Sequence, residues 1–243
     1  MSVRAGLRIL GLVGVLLAYL PLHGVWRLVR APSPWPPRFL GAAARMCGVR
    51  ARVIGAPLGG DVVFLSNHVS WLDILALGGA TGSAFVAKAE LEQTPVVGWL
   101  SDLNRTIYVA RDDRMGIARQ IDLVREALAR VRRVTIFPEG TTGDGRTLGA
   151  FKAPLLRVLD PAPPGVRVQP VRLDYEPAAA IAWTGDEPGL ANALKILGRR
   201  GTIPLVIRFL PPFAPEEAGD RKAIAARARA AIAEAVAEPG ART

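Results

Sequence analysis

The chain has 243 residues, 50% of them hydrophobic, and a mean hydropathy of +0.25. That is enough apolar material for one large domain or two small ones, and it excludes a chain disordered over most of its length. The formal net charge is +10 and the sequence pI about 10.9, a balance suited to nucleic acid or to an anionic membrane surface.

Apart from Lys88, Lys152, Lys195 and Lys222, the positive charge is all arginine. The arginines are scattered among acids, with no helix-turn-helix, zinc-finger or aromatic RNP-like pattern. A membrane is therefore the expected partner, and nucleic acid is not. A single cysteine, Cys47, leaves no intramolecular disulfide and no Cys-based metal cluster. Its apolar setting, RMCGV, reads as a buried small hydrophobe. With His23 and His68 as the two histidines, a His-rich metal site is excluded by counting, and no metal is expected.

From Ile9 to Trp26 no residue carries a fixed charge; Arg4 and Arg8 precede this run, and Arg27 and Arg30 follow it. About 18 to 20 apolar residues cross the hydrocarbon core as a helix. Residues 1–30 are expected to form a hydrophobic membrane anchor, as a single span or a re-entrant helix. An amphipathic interfacial helix and a cleaved signal peptide are the alternatives, although no A-x-A site ends the run. Pro21 is expected to end or kink the helix. Arg27, Arg30, Arg38, Arg45, Arg50 and Arg52 outnumber Arg4 and Arg8, so the positive-inside rule puts the main domain in the cytoplasm.

APSPWPP, from Ala31 to Pro37, reads as a stiff connector, and residues 31–50 as that connector with a short helix. Beyond it, DVVFL (Asp61 to Leu65) predicts a strand, and WLDILALGG a short helix ended by Gly78 and Gly79. SAFVAK predicts a strand, TPVVGWLSDL a short helix, and RTIYVAR (Arg105 to Arg111) a strand. Ile117, Ile121, Val124, Leu128 and Val131 follow the 4-3-4-3 spacing of an amphipathic helix. RRVTIFPEG leads a strand into a Gly-rich loop, and VRVQPVRLDY and TIPLVIRFL are later strands. An Ala-rich helix is expected from about Pro215 to Glu238. The alternation predicts an α/β fold, with a mixed, mostly parallel central sheet flanked by helices and an N-terminal membrane-anchoring helix.

Two loops that follow predicted strands hold the residues suited to chemistry. His68 lies in NHVSWLD (Asn67 to Asp73), after a strand and before a helix. Five residues along an ideal helix rotate by about 140° net, so His68 and Asp73 would not share a helical face. They meet if His68 sits in the turn before the helix and Asp73 in its first turn. The carboxylate then accepts one ring N–H and leaves the other nitrogen as a base, with no serine in the arrangement. The bland alternative is a capping histidine. In FPEGTTGDG (Phe137 to Gly145), glycines allow backbone amides to approach an anion or a lipid headgroup, with Glu139 among them. The alternative here is an ordinary Gly-rich turn with Glu139 solvated. Neither a dinucleotide fingerprint nor a P-loop nor a G-x-S-x-G elbow is present.

NHVSWLD with FPEGT, in that order, resembles the glycerolipid acyltransferase family of 1-acylglycerol-3-phosphate acyltransferases. The family's N-H-x-x-x-x-D motif matches Asn67, His68 and Asp73, and its F-P-E-G-T motif starts at Phe137. TIYVAR ending at Arg111, VAKAELEQTPVVGWL with Lys88, and VQPVRL around Pro170 match its other blocks. The resemblance implies an acyltransferase domain over residues 51–243. It also implies direct acyl transfer from acyl-CoA or acyl carrier protein to a lysolipid hydroxyl at the cytoplasmic face of the inner membrane, with no bound cofactor. It implies His68 as base and Asp73 as its partner. Arg111, Glu139, Gly140, Thr141 and Thr142 would bind the acceptor, and Lys88 and Lys152 would contact donor or headgroup. The family usually has arginine where Thr142 stands, and Arg146 or Lys152 would have to replace its charge. Lysophosphatidate leads as acceptor on the family's base rate. The bacterial subgroup that includes lyso-ornithine lipid acyltransferases, with a zwitterionic amino-acid headgroup, is one alternative, and a non-catalytic membrane lipid-binding protein of the same fold is the other.

Overall fold

The computed structural model describes residues 2–28, 30, 33–89, 92–93, 98, 101–102, 104–109, 117–185 and 187–237. Helix α1 (Val3–Leu28) contains Pro21, which neither ends it nor shortens the apolar run. Helix α2 (Trp35–Met46) begins inside the stretch expected to be a stiff connector. Pro36 and Pro37 occupy its first turn, where backbone N–H groups have no intrahelical acceptor and proline costs nothing. The two helices pack together. Tyr19 and Trp26 of α1 lie edge-on to Trp35, and Tyr19 also to Phe39.

Strand β1 (Val49–Ile54) was not expected from the sequence. Most of it is exposed at the sheet edge and it carries Arg50 and Arg52, so it lacks the apolar signature of a buried strand. It stops at Gly55, whose φ of 74° and whose approach to the Phe209 carbonyl (2.5 Å from an ideal Cβ) leave no room for a side chain. Strand β2 (Val62–Ser66) is buried throughout, as befits a central parallel strand covered on both faces.

Helix α3 (Leu72–Thr81) runs through Gly78 and Gly79, against the expectation that they end it, and Gly82 in the left-handed conformation terminates it instead. The two glycines serve packing. A Cβ on Gly79 would stand 2.7 Å from Cα of Gly41 in α2, so the pair lets the two backbones touch.

Strands β3 (Ala84–Lys88) and β4 (Ile107–Val109) follow. Most of TPVVGWLSDL lies outside the described residues, as does Arg111. Helix α4 (Ile117–Val131) leads to β5 (Arg133–Ile136), and a 3-10 segment (Ala153–Leu159) precedes β6 (Arg167–Tyr175). Short α5 (Ala178–Ile181), then α6 (Gly189–Gly198) and β7 (Ile203–Phe209), come next. The helix expected from Pro215 to Glu238 is two: α7 (Pro215–Ala218) and α8 (Arg221–Ala237). Gly219 (φ 103°) breaks the chain, and Asp220 restarts it by accepting the N–H groups of Lys222 and Ala223.

Among the described residues the strands form one sheet in the order β1-β7-β6-β2-β5-β3-β4. Its neighbours pair parallel except β6 with β7, so β1 and β7 run against the rest. The mixed, mostly parallel sheet expected from the sequence is what forms. One core packs α2, α3 and α6 on one face, with Leu72, Leu77, Phe64 and Ile196 at its centre. The second packs α4, the 3-10 segment and α8 on the other, around Leu128, Leu156 and Ile224. Cys47 is fully buried in the first core, and burial pushes its thiol up to about 12, so it stays protonated and acts as a small hydrophobe.

Strands β2, β5 and β6 run in one direction, so the loops after them gather at one edge of the sheet. Those loops carry His68, Glu139 and the segment after Tyr175.

Candidate active site

His68 occupies the turn between β2 and α3, and Asp73 lies in the first turn of α3. In this geometry His68 Nδ1 stands 2.8 Å from Asp73 Oδ2. The same oxygen accepts the backbone N–H groups of Val69 (2.6 Å) and Ser70 (3.0 Å). The side chain of Asp73 is fully buried, while 17% of the His68 side chain remains exposed. A carboxylate only accepts, so Nδ1 carries the ring proton and Nε2 keeps its lone pair. The arrangement leaves a base oriented by a buried negative charge.

Two further contacts fix the ring. Phe137 stacks on it at 4.0 Å between centroids, tilted by 13°, and Phe85 stacks behind Phe137. The loop itself is held by Asn67, whose side-chain oxygen accepts the Leu173 N–H (2.7 Å) and whose amide donates to the Leu173 carbonyl (2.9 Å). Asn67 thus closes β2 onto β6 where the ladder ends.

Glu139 is buried, with 7% exposed, instead of solvated. One of its oxygens accepts the His68 backbone N–H (2.9 Å) and the other the Gly149 N–H (2.8 Å). Gly143 donates to the His68 carbonyl (2.7 Å), so the two motifs are stitched together by backbone hydrogen bonds. Gly140 adopts φ 73°, which the turn needs after Glu139. Thr141 is exposed. Thr142 donates its hydroxyl to the Trp183 carbonyl, and Trp183 N–H donates to Val69 O (3.1 Å). Lys152 is exposed at the start of the 3-10 segment, its backbone N–H bonded to Pro138 O. Lys88 ends β3 opposite Val109, and its side chain lies outside the described residues.

The structure therefore brings together His68, Asp73, Glu139, Gly140 and Thr142. Sequence reasoning missed Trp183 and Tyr175. Tyr175 is buried and its hydroxyl faces Asp73. Burial above all, and then the Asp73 carboxylate, hold its phenol well above the ordinary range. Tyr175 Oη and Asp73 Oδ1 are both buried without a hydrogen-bond partner. One signal was available: Tyr175 ends the strand VRVQPVRLDY, at the same sheet edge as His68.

A family model described as Acyltransferase matches residues 50–174, and the chain belongs to this family. It is an acyltransferase whose relatives act within the lysophospholipid and lysophosphatidate branch. Among them, lyso-ornithine lipid O-acyltransferase of Rhodobacter capsulatus is 31% identical over 239 residues, covering 90% of this chain and 84% of its own. The enzyme of the same name from Pseudomonas aeruginosa is 35% identical over 198 residues, covering 78% and 74%. A 1-acyl-sn-glycerol-3-phosphate acyltransferase of Neisseria gonorrhoeae is 38% identical over 114 residues, covering 47% and 44%. The crystal structure of the 1-acyl-sn-glycerophosphate acyltransferase of Thermotoga maritima superposes with a TM-score of 0.61 at 22% identity, over 86% of this chain and 79% of that one. It shares the fold.

Proposed function

We propose that the protein O-acylates a lysolipid, with lyso-ornithine lipid as acceptor and acyl-CoA or acyl carrier protein as donor. The His68–Asp73 geometry carries the chemistry. Nε2 of His68 takes the proton of the acceptor hydroxyl as its oxygen attacks the thioester carbonyl. The carbon–sulfur bond breaks, and the leaving thiolate recovers the proton from the imidazolium. Asp73 stabilises that cation while the proton is held. No acyl-enzyme forms, and no metal or bound cofactor takes part.

The resemblance alone put lysophosphatidate first. Two observations favour the zwitterionic acceptor. The relatives matched over most of both chains carry the lyso-ornithine name, whereas the lysophosphatidate relative matches under half. At the position where the family usually has arginine, Thr142 turns its hydroxyl to the Trp183 carbonyl and brings no charge for a phosphate. In this reading Glu139 and Gly140 shape the loop that holds His68. Of the substrate-binding residues named from the sequence, Arg111, Thr141, Lys88 and Lys152 are left for acceptor and donor contacts. The enzyme works at the cytoplasmic face of the inner membrane, with α1 as its anchor.

The test is thiol release from acyl-CoA with lyso-ornithine lipid as acceptor. His68→Ala is expected to lower turnover by about 10² to 10⁴ while the protein still folds and stays on membranes. Near-normal turnover in a folded His68→Ala variant would sink the mechanism.

A further inference from the structure

The carboxyl end of β6 carries a polar cluster that the mechanism above does not use. Arg172 is buried, with 4% of its side chain exposed, and its Nε has no hydrogen-bond partner. Its Nη2 lies 3.6 Å from Asp174 Oδ1, and Asp174 is 38% exposed. Arg208 stands directly opposite Arg172 on β7, and its Nε is likewise without a partner. A buried guanidinium facing one partly exposed carboxylate, with its Nε unpartnered, leaves hydrogen-bonding capacity unmade below the surface. A buried cation with unmade hydrogen bonds is costly unless something completes them.

Above Arg172 the surface opens into a cleft of about 450 Å³. That is within the range of roughly 300 to 1,000 Å³ typical of small-molecule sites. Gly145, Arg146, Arg172, Asp174 and Glu176 line it. The cleft adjoins the His68 loop, because a side chain at Gly145 would come within 2.9 Å of both Val69 and Ala178. It also lies at the carboxyl end of the strand next to β2, on the sheet edge where His68 stands.

The charges alternate in sign. Arg172 and Arg146 offer guanidinium donors, which suit a carboxylate in a forked geometry. Asp174 and Glu176 suit a cation. A phosphate monoester carries up to two negative charges and no positive one, so the two acids would repel it. A head with one carboxylate and one primary ammonium satisfies both halves. The geometry points to this cleft as the acceptor's headgroup subsite, holding a zwitterion by its carboxylate at Arg172 and Arg146 and by its ammonium at Asp174 and Glu176. The assignment rests on the lyso-ornithine reading of the acceptor, since ornithine has both groups, and it deepens that reading.

Steady-state kinetics of the full chain in micelles test it, with lyso-ornithine lipid and lysophosphatidate as the two acceptors. Arg146→Ala and Asp174→Asn alter exposed or half-exposed side chains and should leave the fold intact. Each is expected to raise KM for lyso-ornithine lipid about tenfold or more with kcat within about twofold. Asp174→Asn should also narrow the preference over lysophosphatidate. Arg172→Lys keeps the charge and loses the fork, and its KM should rise similarly while its thermal midpoint stays near that of the parent. If the wild type turns over lyso-ornithine lipid and KM is unchanged in both Arg146→Ala and Asp174→Asn, the subsite is overturned and the acceptor stands. If the wild type turns over lysophosphatidate and not lyso-ornithine lipid, the acceptor reading is overturned and the subsite falls with it.

Discussion

Asp73 Oδ2 accepts a ring N–H and two backbone N–H groups, Oδ1 has no partner, and the buried Tyr175 hydroxyl feels the carboxylate's charge. In the proposed mechanism, loss of that hydroxyl removes a polar neighbour of the carboxylate that stabilises the His68 cation. Tyr175→Phe is therefore expected to lower kcat roughly tenfold, about the effect of one pKa unit, with KM little changed. Its stability should stay within about 1 kcal/mol of the parent, because no formed hydrogen bond is lost. Unchanged kcat in that variant would refute the role. At this scale the sequence was readable where a short pattern joins residues close in the chain. His68 and Asp73 are five apart, and one turn of backbone brings them together. Tyr175 and Arg172 lie about a hundred residues further on, and strand pairing with β2 and β7 brings them to this edge. Their significance was hidden because nothing local distinguishes them from ordinary strand residues.

At the scale of elements, glycine was misread as a stop signal in α3. Gly78 and Gly79 look like helix terminators when only their own helix is considered. Their role appears once α2 is laid across them. Because the neighbour of Gly79 is the backbone of Gly41, no side-chain rotation can relieve a clash. Gly79→Val is expected to cost about 1 to 3 kcal/mol, the usual range for overpacking, read as a lower thermal midpoint in micelles. An unshifted midpoint would mean that α2 moves aside freely. The strands that are apolar throughout, such as β2, and the regularly spaced α4 were legible because burial writes itself into local composition. Strand β1 was not legible: an edge strand buries little, and its pairing with β7 spans most of the chain. The broken C-terminal helix turned on Gly219 and Asp220, a cap that an Ala-rich run conceals.

For the whole molecule, the decisive question is how α1 meets the bilayer. Ala5 is buried, and Gly11 lies so close to Met46 that a Cβ there would stand 2.4 Å from its sulfur, so α1 lies along the domain. Its other side exposes Leu7, Leu10 and Leu17. A helix of 26 residues held flat in this way would bury one face in lipid and keep the other on the protein. A Leu10→Asp, Leu17→Asp double variant is expected to lower co-sedimentation with anionic vesicles about tenfold or more, given roughly 1.5 to 3 kcal/mol for each buried leucine. Undiminished binding would place the contact elsewhere. The apolar character of this segment was plain in the sequence, but its attachment was not, because that depends on side chains scattered over α2 and α6.

Arg8 donates to the carbonyls of Ile196 and Leu197 at the end of α6 and to that of Gly201 just beyond it. Near the other end of the same helix, Asn192 takes the Trp71 ring N–H and donates to Ala182 O. Trp71 caps the start of α3, and Trp183, next to Ala182, holds both Val69 and Thr142. Helix α6 is thus a crossbeam bolted at one end to the apolar helix α1 and at the other to the frame around His68. Loosening the bolt at α1 should be felt at the frame. Arg8→Gln, whose side chain touches none of the reacting groups, is expected to cut turnover severalfold and to leave membrane binding intact; equal rates would show that the beam carries no load.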